Sequence, residues 1–212
     1  MAMARKLVRV EEFVETLRGF EAEPITRDRV LNYCLETEVG RASLEPYVHF
    51  RADTYTRNLI YRDERIEVMA VCWQPGQRTV IHTHNGQLGW MAVSQGAVGV
   101  VNYKWLGCNA ADNQNVAGLD CLAGATELDL ERREVQECYP GGPVNIVDKV
   151  QTIHQVLVQG REPALSLHIY SQPIDSCVAF DLQNHRCYRR QLSFYSRYGK
   201  VVATEDALRA PG

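Results

Sequence analysis

Nowhere in the 212 residues is there an uninterrupted apolar run of about 18, the length a bilayer-spanning helix needs. The opening stretch "MAMARKLVRVEEF" has basic side chains but no apolar segment ahead of Glu11 and Glu12, so no export signal is expected. The seven cysteines, Cys34, Cys72, Cys108, Cys121, Cys138, Cys177 and Cys187, are odd in number and contain no CxxC pair. That disfavours both a complete disulfide framework and a four-thiolate zinc site, and suits a reducing cytoplasm. The net charge is only −3, with both signs mixed along the chain. There is no basic face for nucleic acid and no acidic arm, so the expected partner is a small molecule, with no nucleic acid and no membrane. Internal repeats and low-complexity tracts are also lacking.

What is present is a chain that is 45% apolar and long enough to bury a core as one domain. Val10, Phe13, Val14, Leu17 and Phe20 recur at helical spacing, and Gly19 and Pro24 end that pattern. A second helix is expected after Thr26 or Asp28 as cap, with Val30, Leu31, Cys34 and Leu35 on its apolar face up to about Gly40. From Tyr47 the texture changes to short runs such as "TRNLIYR", "RIEVMAVCW", "RTVIHTH", "LGWMAVSQ", "AVGVVNYKWL", "QTIHQVLVQ" and "PALSLHIYS". These read as strands, parted by turn signals at Pro75-Gly76, Asn85-Gly86, Gln95-Gly96 and Gly160. Their regular spacing predicts an antiparallel barrel or sandwich. Residues 107–124 are expected to be a long loop, and Leu128, Leu130 and Val135, alternating with charges, one or two edge strands. The chain thus divides into a helical segment, 1–46, packed on a β-barrel, 47–212, within a single domain.

In a strand His82 and His84 point to the same face, which is a spacing suited to chelation. The pair alone leaves a metal clamp and two ordinary strand residues both open. His154, in "QTIHQVLVQ", sits on another strand that a small barrel can bring opposite the pair. Alone, it reads more readily as a histidine satisfied in a core or rim than as a ligand. Ser166, His168 and Tyr170 alternate in "SLHIYS" and share a face, either as a relay or as the solvent side of a strand.

The stretch "GQRTVIHTHNGQLGWMAVSQG" resembles the first signature of the cupin superfamily: Gly76, His82-x-His84 and Gly96, with Gly89 where cupins often have a ligand Glu. His154 resembles the histidine of the second cupin motif. "YTRNLI", "VCW", "SLHIYS" and "DSCVAF", in that order, are similar to their counterparts in the cysteine dioxygenase family of thiol dioxygenases, over Tyr47 to Gly199. The resemblance implies a cupin-type small β-barrel, a double-stranded β-helix with N-terminal α-helices. It also implies a mononuclear non-haem Fe(II) held by His82, His84 and His154. Three neutral imidazoles leave the full dipositive charge on the metal and positions open for a thiol and O₂. By the same resemblance Arg57 binds the substrate carboxylate through its planar fork and Tyr55 lines the pocket beside it. Tyr170 acts at the reacting centre, held by His168 and Ser166, and Cys177 lies near the site as a buried thiol.

The sequence also departs from that family. Some members form a cysteine–tyrosine thioether with a cysteine at the place of Gly89, so Tyr170 is expected to remain unlinked. Gln172 stands where relatives usually have the first proline of a Ser-Pro-Pro run associated with a cis peptide, so a trans bond and an altered pocket wall are expected. Arg78 shares the face of Val80, His82 and His84 if the strand runs unbroken, and would add a second inward guanidinium suited to a dicarboxylate thiol. The expected function is a cytoplasmic thiol dioxygenase, a monomer or weak oligomer, converting L-cysteine to cysteine sulfinate. Alternatives are the same chemistry on mercaptosuccinate or 3-mercaptopropionate, or a metal-binding cupin acting as sensor or isomerase.

Overall fold

The computed structural model describes residues 5–20, 26–108, 128–148 and 152–202. Strand β1 (Lys6–Val8) leads into helix α1 (Val10–Gly19), and α2 (Arg27–Glu36) runs directly into β2 (Thr37–Val39), α3 (Arg41–Leu44) and a 3-10 turn at Glu45–Tyr47. Val10, Phe13, Val14 and Leu17 are all buried, so the apolar period of α1 is its docking face. Thr26 caps α2, its hydroxyl accepting from the Arg29 N–H. That helix stops at Glu36, short of Gly40, because Thr37–Val39 pairs in parallel with β1. Leu35, on the expected apolar face, is 42% exposed. No helix among the described residues is long and apolar enough to cross a membrane.

Thirteen more strands follow: β3 (Thr56–Arg62), β4 (Glu67–Trp73), β5 (Ile81–His82), β6 (Gly89–Gln95), β7 (Val98–Cys108), β8 (Leu128–Cys138) and β9 (Asn145–Val147), then β10 (Ile153–Val158), β11 (Ala164–Tyr170), β12 (Ser176–Asp181), β13 (Arg186–Gln191), β14 (Ser196–Arg197) and β15 (Lys200–Val201). One sheet has the order β13-β12-β5-β10-β7-β8 and the other β15-β14-β3-β4-β11-β6-β9. Together they form the expected cupin-type double-stranded β-helix. Strand β7 takes in Gly107 and Cys108, and the rest of the loop expected over 107–124 lies outside the described residues. Leu128–Cys138 is a single strand at the sheet edge.

Strand β4 is buried along its whole length, and its alternation explains why. Met69, Val71 and Trp73 meet Val98, Val156 and Phe194 between the sheets, while Val68, Ala70 and Cys72 meet α1 and α2 on the outside. The Trp90 indole N–H donates to Arg27 O at 3.0 Å, tying α2 to β6. Cys34, Cys72, Cys138 and Cys177 are buried free thiols, and Cys187 is disulfide-bonded, which the cysteine spacing did not signal.

Asn85 and Gly86 both have positive φ, 52° and 76°, and Gln87 N–H donates to His84 O across them at 3.1 Å. Asn-Gly suits a turn whose two central residues are left-handed. This turn does not close a hairpin: β5 belongs to one sheet and β6 to the other, so it carries the chain between them.

Candidate metal centre

His82 and His154 face each other across β5 and β10. Directly opposed residues of an antiparallel pair project to one side, so both imidazoles enter the same cavity. His84, two residues past His82 at the start of the Asn-Gly turn, completes the group, with one ligand atom from each ring lying within 4.8 Å of the others. Ring centroids are 4.6 to 4.9 Å apart. Burial holds all three imidazoles neutral, His82 down to about 4 and His84 and His154 well below the usual histidine range. A neutral imidazole is the form that ligates a metal. His82 Nδ1 lies 2.9 Å from Val80 O, which can only accept, so Nδ1 carries the proton and Nε2 has its lone pair free. The buried Nδ1 atoms of His84 and His154 have no hydrogen-bond partner among the described residues. The donor set fits a divalent metal with nitrogen ligands.

Behind the histidines, four side chains form a hydrogen-bonded row. Trp73 Nε1–H donates to Ser166 Oγ at 2.9 Å, Ser166 Oγ meets His168 Nε2 at 2.8 Å, and His168 Nδ1 meets Tyr170 Oη at 3.4 Å. The indole is donor-only, so Ser166 accepts there, and it keeps its one hydroxyl proton and a second lone pair for His168 Nε2, whose role follows the tautomer of the ring. A neutral His168 carries one ring proton, so it donates to one of Ser166 Oγ and Tyr170 Oη and can accept from the other. Burial pushes His168 down to about 3 and raises Tyr170 above the usual phenol range, so both are neutral. Gly89 is opposite Tyr170 in the β6–β11 ladder, and a Cβ built there would lie 3.1 Å from the ring. The absence of a side chain at position 89 is what gives the unlinked ring its place.

Arg57 on β3 lines the cavity beside Tyr55, which stacks on Trp73 with centroids 4.7 Å apart. The Arg57 guanidinium lies over the Phe194 ring, donates to Ser193 O at 3.2 Å and approaches Glu67 at 3.6 Å. Glu67 also faces Arg62 at 3.4 Å, and neither of its oxygens has a hydrogen-bond partner among the described residues. At those separations the attraction does not offset full burial, and the Glu67 carboxyl is raised above the usual carboxylate range, by desolvation first and against the pull of Arg57 and Arg62.

Two expectations are corrected. Arg78 is exposed and is absent from the cavity wall, because the strand is not continuous. His82 is opposite His154, whereas Arg78 bridges to Leu157, a pairing offset by one residue from that register. A one-residue slip sends a side chain to the other face, and Thr79 takes the inward place instead. Gln172 is likewise exposed beyond the end of β11, and Ile174 forms that part of the wall. No cis peptide occurs among the described residues, as expected for Gln172. Trp73, Glu67, Leu192 and Arg190 bear on the site and were not singled out from the sequence. Glu67 and Trp73 lay in the strand run "RIEVMAVCW", and of the four only Trp73, within "VCW", lay in a stretch that carried the family resemblance. Cys177 lines the cavity as a buried thiol that burial raises to about 11, an unreactive form.

The description "Cysteine dioxygenase type I" belongs to the family model that matches residues 12–183. Cysteine dioxygenase type 1 of Danio rerio is 25% identical over 199 residues, covering 92% of this chain and 90% of the relative. That of Homo sapiens is 27% identical over 193 residues, covering 91% and 80%. Among solved structures, a cupin superfamily protein from Desulfitobacterium hafniense is 12% identical and covers 65% of this chain and 93% of its own, with a TM-score of 0.41. The family match takes in all three histidines, Arg57 and the whole Ser166–Tyr170 row, and the chain belongs to the cysteine dioxygenase type I family.

Proposed function

We propose that the protein is a non-haem Fe(II) thiol dioxygenase that converts a small carboxylate-bearing thiol to its sulfinate, L-cysteine to cysteine sulfinate being the simplest case. The observation that carries the reading is the convergence of three neutral imidazoles on a cavity that also holds a guanidinium and a phenol. The reaction RSH + O₂ → RSO₂H balances without an external reductant, both oxygen atoms ending on sulfur. His82, His84 and His154 would hold the iron(II), which when bound would supply the redox chemistry that O₂ needs to react with a thiol.

The chain's own residues do the rest. Arg57 binds the carboxylate with a fork already braced by Phe194, Ser193 O and Glu67, so little is lost in ordering it. Tyr170 donates its phenol proton toward the sulfur or the oxygen it gains, and His168, locked by Ser166 and Trp73, holds that phenol at its angle. Tyr55, Trp73 and Ile174 form an apolar wall that limits water at the reacting centre. The reaction requires no partner beyond the thiol and O₂.

Oxygen uptake by the Fe(II)-loaded protein across a panel of small thiols, with mass spectrometry for the gain of one O₂, tests the proposal. Uptake confined to thiols with a carboxylate is expected. Arg57→Ala should raise KM with bound iron retained, and His154→Ala should lose the iron. Absence of uptake with every carboxylate-bearing thiol, or full iron content in His154→Ala, would overturn it.

A further inference from the structure

Arg190 lines the same cavity as Arg57 and the histidines. Its placement follows from strand register. His154 is opposite His82, His82 is opposite Ala179 on β12, and Cys177, two residues before Ala179, is opposite Arg190 on β13. Opposed residues and residues two apart share a face, so Arg190 projects to the histidine side of the sheet. Two inter-strand steps of about 4.8 Å and two residues at about 3.4 Å put its Cα roughly 12 Å from that of His82. An arginine side chain and a small ligand fill such a gap between them.

An arginine on an edge strand ordinarily serves the solvent face. Two features set this one apart. Its cross-strand partner Cys177 is buried in the cavity wall. The other guanidinium of the cavity wall, Arg57, faces Glu67, and Arg189, next to Arg190 in the strand, donates to Ser176 Oγ. Among the described residues Arg190 has no hydrogen bond, ion pair or ring contact. A guanidinium aimed into a concave site with no acceptor of its own is a receptor for an anion, and its planar fork matches a carboxylate.

We propose that Arg190 is a specificity-determining residue that, with Arg57, selects small thiols bearing two anionic groups, most simply thiol dicarboxylates, over thiols with one. This rests on the thiol-oxidising reading and narrows its substrate. Arg57 takes one carboxylate, the thiol lies toward the histidines and Arg190 takes the second carboxylate. L-cysteine offers no second carboxylate and brings an ammonium into a cavity that already holds two guanidinium groups, which ranks it below a dicarboxylate.

The test is calorimetric binding to the Fe(II)-loaded protein under nitrogen, with mercaptosuccinate, 3-mercaptopropionate and L-cysteine as probes. The native protein should bind mercaptosuccinate about tenfold or more tightly than 3-mercaptopropionate, as a charge-assisted pair predicts. Arg190→Met should bring the two within about twofold by losing mercaptosuccinate affinity, Arg190→Lys should fall between, and iron content should not change. Equal binding by the native protein, or an equal loss for both thiols in Arg190→Met, overturns the assignment. Competition by succinate against propionate on the native protein gives the same answer without a variant: succinate should displace 3-mercaptopropionate better, and parity counts against Arg190. Oxygen uptake measured in parallel separates the two readings. A dianion preference without uptake keeps Arg190 and removes the dioxygenase, uptake from all three thiols without preference does the reverse, and neither binding nor uptake removes both.

Discussion

Single residues at this site are defined by what their neighbours can donate or accept. Trp73 has one proton to give and no lone pair to offer, and that fact makes Ser166 Oγ an acceptor at the closed end of the row that runs through His168 to Tyr170. Glu67 shows the opposite case, a carboxylate with two cations nearby and no hydrogen bond to either. Its folded pKa is raised, so the unfolded chain gives up the proton first. Stability therefore falls as pH climbs from the unfolded value through the folded one, and the cost is complete above it. Glu67→Gln removes that ionisation. Urea unfolding should find the variant at least as stable as the native protein at pH 7, with the difference shrinking toward pH 4. A variant clearly less stable at pH 7 than at pH 4, relative to the native protein, would mean that the ion pairs outweigh burial.

At the scale of elements, face assignment rests on unbroken alternation. β4 obeys it along its length, separating a helix-facing side from a cavity-facing side, and so does β11, which carries Ser166, His168 and Tyr170 inward. The segment before His82 does not, and its one-residue slip exchanges Arg78 for Thr79. The outer side of the seven-stranded sheet is separable from the chemistry. Trp90→Phe removes the hydrogen bond to Arg27 O and leaves a small void against α2, a loss of about 1–2 kcal/mol. Chemical denaturation should register it while iron binding and kcat/KM stay unchanged, because Gly89 and Met91, not Trp90, face inward. A comparable loss of activity would show that the helices and the cavity are coupled through β6.

For the molecule as a whole, the metal group joins distant parts of the chain: His82 and His154 meet across strands far apart in sequence, and His84 sits where the chain passes from one sheet to the other. A metal bound only by the folded state stabilises it by mass action, about 2.7 kcal/mol at a hundredfold excess over Kd. For a domain of this size that is about 5–10 °C in Tm. Thermal unfolding should show Fe(II) raising Tm by such an amount, a chelator reversing it and His154→Ala abolishing it. A Tm indifferent to iron in the native protein would contradict the ligand set.

Local pattern sufficed for much of this architecture. The period of α1, the Thr26 cap, the Asn85-Gly86 turn and most strands were legible because each depends on near neighbours in the chain. The histidine spacing and the alternation of Ser166, His168 and Tyr170 were legible for the same reason. The inward position of Arg190, the outward turn of Arg78 and the replacement of Gln172 by Ile174 were decided only in three dimensions. Each depends on which strands pair and in what register, and register is set by packing between segments that the local pattern leaves independent. The residues that could hold the metal could thus be named from the sequence, as could Arg57, whereas the presence of Arg190 in the cavity wall and the absence of Arg78 from it were decided by the pairing of β12 with β13 and by the slip ahead of β5.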